Sequence, residues 1–144
     1  MSVEHHPHDR DEIDDFAMCA AFSCTPRSVG AARRFVEKAC FFFGVSAEDF
    51  SLLTSEVATN CVTHAGSGFL VSCIGDGAAG IWVQVFDDSR SLPVERRSGV
   101  DLMDQSGRGL WLLSELSEWH VTPLKGGKVV CFRPLNQVRP GVAA

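Results

Sequence analysis

The sequence predicts an α+β domain built from helices and a mostly antiparallel sheet. Two observations predict this class. Apolar residues recur at helical spacing in two successive stretches, 26–44 and 47–65. Two pairs of strand-like runs follow, and a glycine-containing turn separates the members of each pair, which is the pattern of antiparallel hairpins.

The bulk properties are those of one globular domain, and they exclude several classes of function. The 144 residues suffice for a hydrophobic core, and 45% of them are hydrophobic. The net charge of −5 does not favour binding to nucleic acid or to an anionic membrane, which are themselves negatively charged. The apolar runs 39–43 and 69–74 are too short to cross a bilayer, and the N-terminus lacks the order of a signal peptide. We therefore expect a cytoplasmic protein that binds neither nucleic acid nor membrane directly.

The cysteines are expected to be reduced. Six are present, no two of them form a C-x-x-C pair, and most fall within apolar patterns. This arrangement favours core thiols over a disulfide framework or a zinc site.

The first elements are predicted from caps and periodicity. Residues 1–15 are charged, lack apolar periodicity and are expected to form a flexible tail, whose histidines offer no closed metal site. A strand is expected at 16–22. Thr25 and Pro26 match the N-cap and first position of a helix that ends at Gly44.

The second predicted helix, 47–65, contains the first candidate site. Ser46 is its expected N-cap and Gly66 its stop. An apolar stripe and a polar stripe run side by side along it. The apolar members are Phe50, Leu53, Val57 and Cys61, and the polar members are Glu56, Asn60 and His64.

This polar stripe suits a cleft that binds a metal ion and a substrate. A glutamate can accept a proton, and an asparagine can offer a neutral oxygen to a hard cation. The alternative is a solvated helix face, because charged and polar residues four apart are common there. His64 is interpreted as packing at the helix end.

Two more candidate sites lie further along the chain. Strands expected at 69–74 and 81–86 form a hairpin, and the second ends in Asp87, an acidic group where a strand opens into a loop. A solvated turn is the alternative for Asp87. Gly107 and Gly109 come just before a helix that starts near Leu110, so they could cradle a phosphate with backbone N–H groups.

The remaining elements complete one domain. Two closing strands are expected at 119–122 and 128–132, joined by a turn through Pro123 and the Gly126-Gly127 pair. The predicted domain then spans 16–134, and 135–144 form a C-terminal tail.

The order and spacing of these stretches resemble those of the GHKL ATPase superfamily. Segment 55–66 resembles its Glu-x-x-x-Asn box, 87–89 resembles its Asp-x-Gly box, and 107–109 resembles its glycine-rich lid. Five segments within 22–132 are together similar to the small bacterial anti-sigma-factor serine/threonine kinases. These segments are 25–36, 55–66, 83–93, 107–113 and 126–128. The resemblance implies a Bergerat ATP-binding fold, a two-layer α/β sandwich with a mixed, mostly antiparallel sheet covered on one face by helices.

The same resemblance implies a Mg²⁺- and ATP-dependent site and a role for each matching residue. Asn60 would coordinate Mg²⁺, and Glu56 would be the general base that takes the proton of a serine or threonine hydroxyl. Asp87 would accept a hydrogen bond from the amino group of adenine. The nucleotide-binding loops would contain Ser89, Gly107, Arg108 and Gly109, with the arginine as a charge clamp.

The sequence departs from the superfamily pattern at three of these positions. Ser89 stands where the second box usually has glycine, Val129 stands where threonine commonly follows Gly-Gly-Lys, and Cys61 replaces the usual alanine after Asn60.

The resemblance also implies partners. The protein would sequester a sigma factor, phosphorylate an anti-anti-sigma antagonist and form a homodimer. The alternative is a non-catalytic ATP-binding module that controls a partner by occupancy. A sensor histidine kinase catalytic domain is disfavoured, because the sequence shows no upstream dimerisation helix with a phosphoacceptor histidine.

Overall fold

The computed structural model describes residues 17–75, 80–89 and 112–135. The predicted tails, the hairpin connection and the lid at 107–109 lie outside these residues. Residues 112–116 are helical. The longer elements are β1 (Ala17–Phe22), α1 (Pro26–Phe43), α2 (Glu48–His64), β2 (Phe69–Gly75), β3 (Ile81–Asp87), β4 (Ser117–Leu124) and β5 (Gly127–Pro134).

The strands form one five-stranded sheet in the order β1-β2-β3-β5-β4. Every neighbouring pair in it is antiparallel. The two long helices pack together; α1 contacts β1, β2 and β3, while α2 contacts β3 and β5. The predicted two-layer α+β architecture, with helices on one face of an antiparallel sheet, is confirmed.

Both ends of α1 follow from its sequence. Thr25 is the N-cap residue with extended backbone angles, and Pro26 occupies the first helical position, as predicted. Gly44 ends the helix with φ 71°, a left-handed conformation that glycine adopts without a Cβ penalty. The N–H of Gly44 donates to Phe41 O, and the N–H of Val45 donates to Cys40 O, so two end carbonyls are satisfied.

The start of α2 differs from its prediction. Ala47, not Ser46, is the N-cap residue, and no side chain caps the helix there. Glu48 and Asp49 lie in the first turn, where their negative charge interacts favourably with the helix dipole and substitutes for a cap. The helix ends at His64, one residue before the predicted boundary.

The core lies between the helices and one face of the sheet. All four predicted apolar residues of α2 are buried there, together with Val71 and Cys73 of β2 and two valines of β3. The side chain of Phe22 stacks on Phe69 with 5.4 Å between ring centroids and meets Phe35 edge-on at 6.0 Å. These contacts close the core at the β1 edge.

The last hairpin is longer than predicted. Pro123 lies within β4, opposite Lys128, and the turn consists of Lys125 and Gly126. A proline is tolerated in this strand because β4 is at the sheet edge, where one side of the strand has no hydrogen-bonding neighbour. Within residues 17–75, 80–89 and 112–135, no helix is long and apolar enough to cross a membrane.

Candidate functional site

The polar stripe of α2 lies at the edge of the buried face, as predicted. Glu56 and Asn60 are half-buried, whereas Leu53, Val57 and Cys61 beside them are buried. His64 is exposed, so its interpretation as helix-end packing is wrong.

Most hydroxyl groups on α2 are already bonded to the helix itself. The hydroxyls of Ser55, Thr59 and Thr63 each donate to the backbone carbonyl four residues earlier, at 2.7 to 2.9 Å. Neither Glu56 nor Asn60 has a hydrogen-bond or ion-pair partner among the described residues. Their carboxylate and carboxamide are therefore available to an external group.

The Asp87 carboxylate accepts hydrogen bonds from three donors of the described chain. It is the last residue of β3, and its side chain is 2% exposed. Lys128 Nζ donates to Oδ1 at 3.1 Å, and the backbone N–H of Ser89 donates to the same oxygen at 2.9 Å. Cys61 Sγ donates to Oδ2 at 3.2 Å. A solvated turn is therefore excluded for Asp87.

The bond from Cys61 joins α2 to the end of β3. Because Cys61 directly follows Asn60, it brings the polar stripe of α2 and Asp87 into one region of the molecule. Burial raises the pKa of the Cys61 thiol, and the negative charge of Asp87 raises it further. The thiol therefore stays protonated and acts as a donor.

Lys128 is a site residue whose role was not predicted. It lies directly opposite Asp87 in the β3–β5 pair, and its side chain is 8% exposed. The preceding Gly127 has no room for a side chain, because a Cβ there would collide with the backbone of Asp87 and Asp88. A signal was present in the sequence: Lys128 is the one charge in the run 127–132, and a charge in a buried strand requires a partner.

Asp88 has a different role from Asp87. It is exposed, and its carboxylate accepts the N–H of Gly66 at 2.8 Å and the hydroxyl of Ser67 at 2.7 Å. The Ser67 hydroxyl is the main cause that lowers the pKa of Asp88, followed by the Gly66 N–H. Asp88 thus ties the loop after α2 to the end of β3 and fixes the position of the region that holds Asp87.

A shallow depression of about 380 Å³ opens at the same end of the sheet, and Asp87 and Asp88 are among the residues that line it. Its lining includes Leu70 and Phe86, which pair with each other across β2 and β3. Side chains alternate along a strand, so this pair points away from the helices while Asp87 points towards them. The depression therefore does not belong to the region beneath α2.

The remaining predicted site residues belong to the lid and the N-terminal tail. Gly107, Arg108 and Gly109 lie outside the described residues, as do the N-terminal histidines. Within the described residues, no group of three or more histidine, cysteine, aspartate or glutamate side chains could hold a metal ion. All six cysteines are free, and four of them are buried, as the sequence predicts.

Comparisons with known proteins include a distant structural likeness. No protein-family profile and no curated protein matches the sequence. The histidine kinase domain of the Erythrobacter litoralis EL346 blue-light activated histidine kinase is similar in structure, with a TM-score of 0.44 and 23% sequence identity. The likeness covers 87% of this chain and 67% of that chain. At this level of similarity the likeness assigns no function to this chain.

Proposed function

We propose that this protein binds Mg²⁺-ATP between α2 and the end of β3 and transfers the terminal phosphate to a serine or threonine of a partner protein. The observation that carries the proposal is the Cys61–Asp87 bond, 3.2 Å long. It sets a helix with two polar groups that have no partner among the described residues, Glu56 and Asn60, against a buried acid on a strand end. The resemblance to the anti-sigma-factor kinases rests on these same stretches.

Asn60 fits the proposed metal ion. Its carboxamide is half-buried and has no partner among the described residues, and a neutral oxygen is a suitable ligand for a hard cation that keeps most of its waters. When bound, Mg²⁺ would neutralise charge on the phosphates. Asn60 would hold the ion and so orient the phosphate chain along α2.

Glu56 fits the proposed general base. It lies one helical turn before Asn60, on the same face of α2. None of the described cations pairs with it, so its carboxylate can accept the proton of an attacking hydroxyl. The phosphoryl group would then pass from ATP to the hydroxyl oxygen as the bond to the ADP oxygen breaks.

The proposed partners follow the resemblance. The protein would bind a sigma factor as a homodimer, and an anti-anti-sigma antagonist would be its phosphorylation target. A phosphate adds a charge of roughly −1.5 to −2, which weakens a packed interface. Phosphorylation would therefore release the antagonist and leave the sigma factor sequestered.

Transfer of labelled phosphate tests the proposal. The wild-type protein is incubated with Mg²⁺, γ-labelled ATP and an antagonist of the anti-anti-sigma class, beside Glu56→Gln and the control Glu48→Gln. Glu48 is an exposed carboxylate on the same helix. Label on serine or threonine is expected with wild type and Glu48→Gln, and its loss with Glu56→Gln. Equal labelling with all three proteins would contradict the role of Glu56.

A non-catalytic binding module is the second candidate, and one observation favours it. Both carboxylate oxygens of Asp87 are already bonded within the protein, which leaves fewer lone pairs for a nucleotide base. Measurable nucleotide binding without any label transfer would support this function over the kinase.

A further inference from the structure

We propose that the outward face of α1 is a docking surface for an acidic helix of a partner protein, one that carries apolar side chains at one end. The surface consists of Arg27, Arg34, Lys38 and Phe41, which we call the basic stripe, and the neighbouring Phe42. This inference goes beyond the proposed function and does not depend on nucleotide binding.

The basic stripe is one line along the helix. Arg27, Arg34 and Phe41 follow one another at intervals of seven residues, which is close to two helical turns. Lys38 lies one turn after Arg34 on the same side. All four side chains are exposed. The residues that α1 buries occupy the opposite side, and they are Ser28, Ala32, Val36, Ala39 and Cys40.

The positive charge of the stripe is not compensated. Arg27, Arg34 and Lys38 have no hydrogen-bond or ion-pair partner in the described part of the chain. Glu37 is the one acid of α1, and it accepts the hydroxyl of Ser51 on α2 at 2.7 Å, which directs its carboxylate away from the stripe. The whole chain nevertheless has a net charge of −5. A local concentration of positive charge on an acidic protein favours a partner whose own surface is locally acidic.

Two phenylalanines supply an apolar anchor at the end of the stripe. Phe41 is 90% exposed and Phe42 is 63% exposed. The ring of Phe42 meets Phe43 edge-on with 5.3 Å between centroids, and Phe43 packs against the core. Single exposed apolar residues are common on protein surfaces, whereas adjacent exposed aromatic residues are typical of the buried centre of an interface. The partner helix therefore needs apolar side chains at the end that meets these rings.

Two other occupants fit the surface less well. A second copy aligned along the stripe about a twofold axis would place Arg34 against its own copy, and like charges in an interface are unfavourable. An anionic membrane is disfavoured by the net charge of −5, and the apolar side of α1 is already buried in the core. A protein helix with carboxylates at matching intervals fits best, since the stripe extends over about 21 Å at 1.5 Å per residue.

Fluorescence anisotropy with labelled peptides tests the proposal on the full-length protein. The acidic probe is a synthetic helical peptide of about five turns, with glutamates spaced seven and four residues apart and two leucines at one end. The control peptide has glutamine in place of each glutamate. Wild type should bind the acidic probe at least about tenfold tighter than the glutamine peptide, because the charge pairs are lost in the latter.

Matched variants locate the binding surface. Arg34→Glu and Phe41→Ser should each weaken binding of the acidic probe at least about tenfold. Arg33→Glu makes the same change of charge at the exposed arginine next to the stripe, and Leu124→Ser removes an exposed apolar side chain from β4. These two controls should change the Kd by less than about threefold. A probe with lysine in place of the glutamate opposite position 34 should restore binding to Arg34→Glu, which a merely structural effect of the substitution would not do.

Several results would overturn the inference. Equal binding of the two peptides by wild type is one, and equal losses with Arg33→Glu and Arg34→Glu are another. A dimer in analytical ultracentrifugation that Phe41→Ser dissociates would show that a second copy covers the stripe. Binding to phosphatidylserine vesicles that Phe41→Ser abolishes would assign the surface to a membrane. None of these results involves nucleotide binding or phosphate transfer, so the proposed function stands or fails separately.

Discussion

At the scale of single residues, the decisive group is Asp87, because its carboxylate joins three segments of the chain. It receives a thiol from α2, an ammonium from β5 and the N–H of Ser89 two residues on. A buried ion pair costs desolvation of both charges, so its presence is weak evidence for stability. Loss of one partner alone is costly, however, because the other charge stays buried without compensation.

The first prediction concerns this pair. Lys128→Met should lower the free energy of unfolding by about 3–5 kcal/mol, because it leaves the Asp87 carboxylate buried and unpaired. Arg33→Met is the matched control, since its pair with Glu37 spans 3.8 Å and both side chains are more than 40% exposed. The control should cost no more than about 1 kcal/mol. Urea denaturation measures both values, and equal losses would contradict a buried charge at Asp87.

The second prediction concerns pH. Burial raises the pKa of the Cys40 and Cys73 thiols from 9.0 to about 12. Between these values the unfolded chain releases thiol protons that the folded chain retains, so stability is full below about pH 9 and falls as the pH rises. Each thiol should contribute a slope of about 1.4 kcal/mol per pH unit.

Removal of one of these thiols isolates its contribution. Denaturation of Cys73→Ala across this window should show a slope shallower than wild type by about 1.4 kcal/mol per pH unit. Cys19→Ala, which removes an exposed thiol, should leave the slope unchanged. Identical slopes for wild type and Cys73→Ala would show that Cys73 is not protonated in the folded state.

At the scale of elements, the turn between β4 and β5 positions the site. Gly126 and Gly127 are adjacent, but their surroundings differ. A Cβ on Gly127 would collide with the backbone of Asp87 and Asp88, whereas a Cβ on Gly126 meets nothing within 4 Å. The close approach of β5 to the end of β3 therefore requires glycine at position 127 only.

The third prediction follows from this contrast. Gly127→Ala should destabilise the fold by about 1–3 kcal/mol or more, because strand backbones must separate to admit the methyl group. Gly126→Ala should change stability by no more than about 0.5 kcal/mol. Thermal denaturation of the two variants compares them directly. A Gly126→Ala variant as unstable as Gly127→Ala would contradict the close strand contact.

Also at this scale, the C-terminal end of α2 is held by a thiol that no local sequence pattern singles out. Cys24 lies in the loop before α1, and its Sγ is 3.4 Å from Val62 O and 3.3 Å from Ala65 O, so its single S–H can donate to one or the other. Carbonyls at a helix end lack partners within the helix. Cys24 therefore supplies a side-chain donor that links the start of α1 to the last turn of α2.

At the scale of the whole molecule, the fold was largely predictable because its signals are local. Pro26 and Gly44 define the ends of α1 through their own backbone restrictions, and short apolar runs bounded by turn residues identified every described strand. The errors were local as well. Ser46 was expected to cap α2, but the acidic residues of the first turn interact with the positive end of the helix dipole instead. Pro123 was expected in a turn, but it lies in β4, where the sheet edge tolerates a proline.

The site was predictable only in part, because its contacts are long-range. Periodicity placed Glu56 and Asn60 on one edge of α2, and this is confirmed. The Lys128–Asp87 pair joins residues 41 positions apart, so it depends on the register of β3 and β5, which no local pattern specifies. The Cys61–Asp87 bond depends in the same way on how α2 packs against the sheet. The roles of the site residues in catalysis stay predictions.

The central claim is that α2 and the end of β3 form one Mg²⁺-nucleotide site, and the metal dependence of ATP binding tests it most directly. Calorimetric titration with ATP, with and without Mg²⁺, compares wild type with Asn60→Ala and with Thr63→Ala, an exposed neighbour on the same helix. Mg²⁺ should tighten ATP binding at least about tenfold in wild type and Thr63→Ala, as expected when one charge-neutralising ion is added to the complex. In Asn60→Ala the Kd should be the same with and without Mg²⁺. A metal dependence unchanged by Asn60→Ala, or no ATP binding by folded wild type, would contradict the claim.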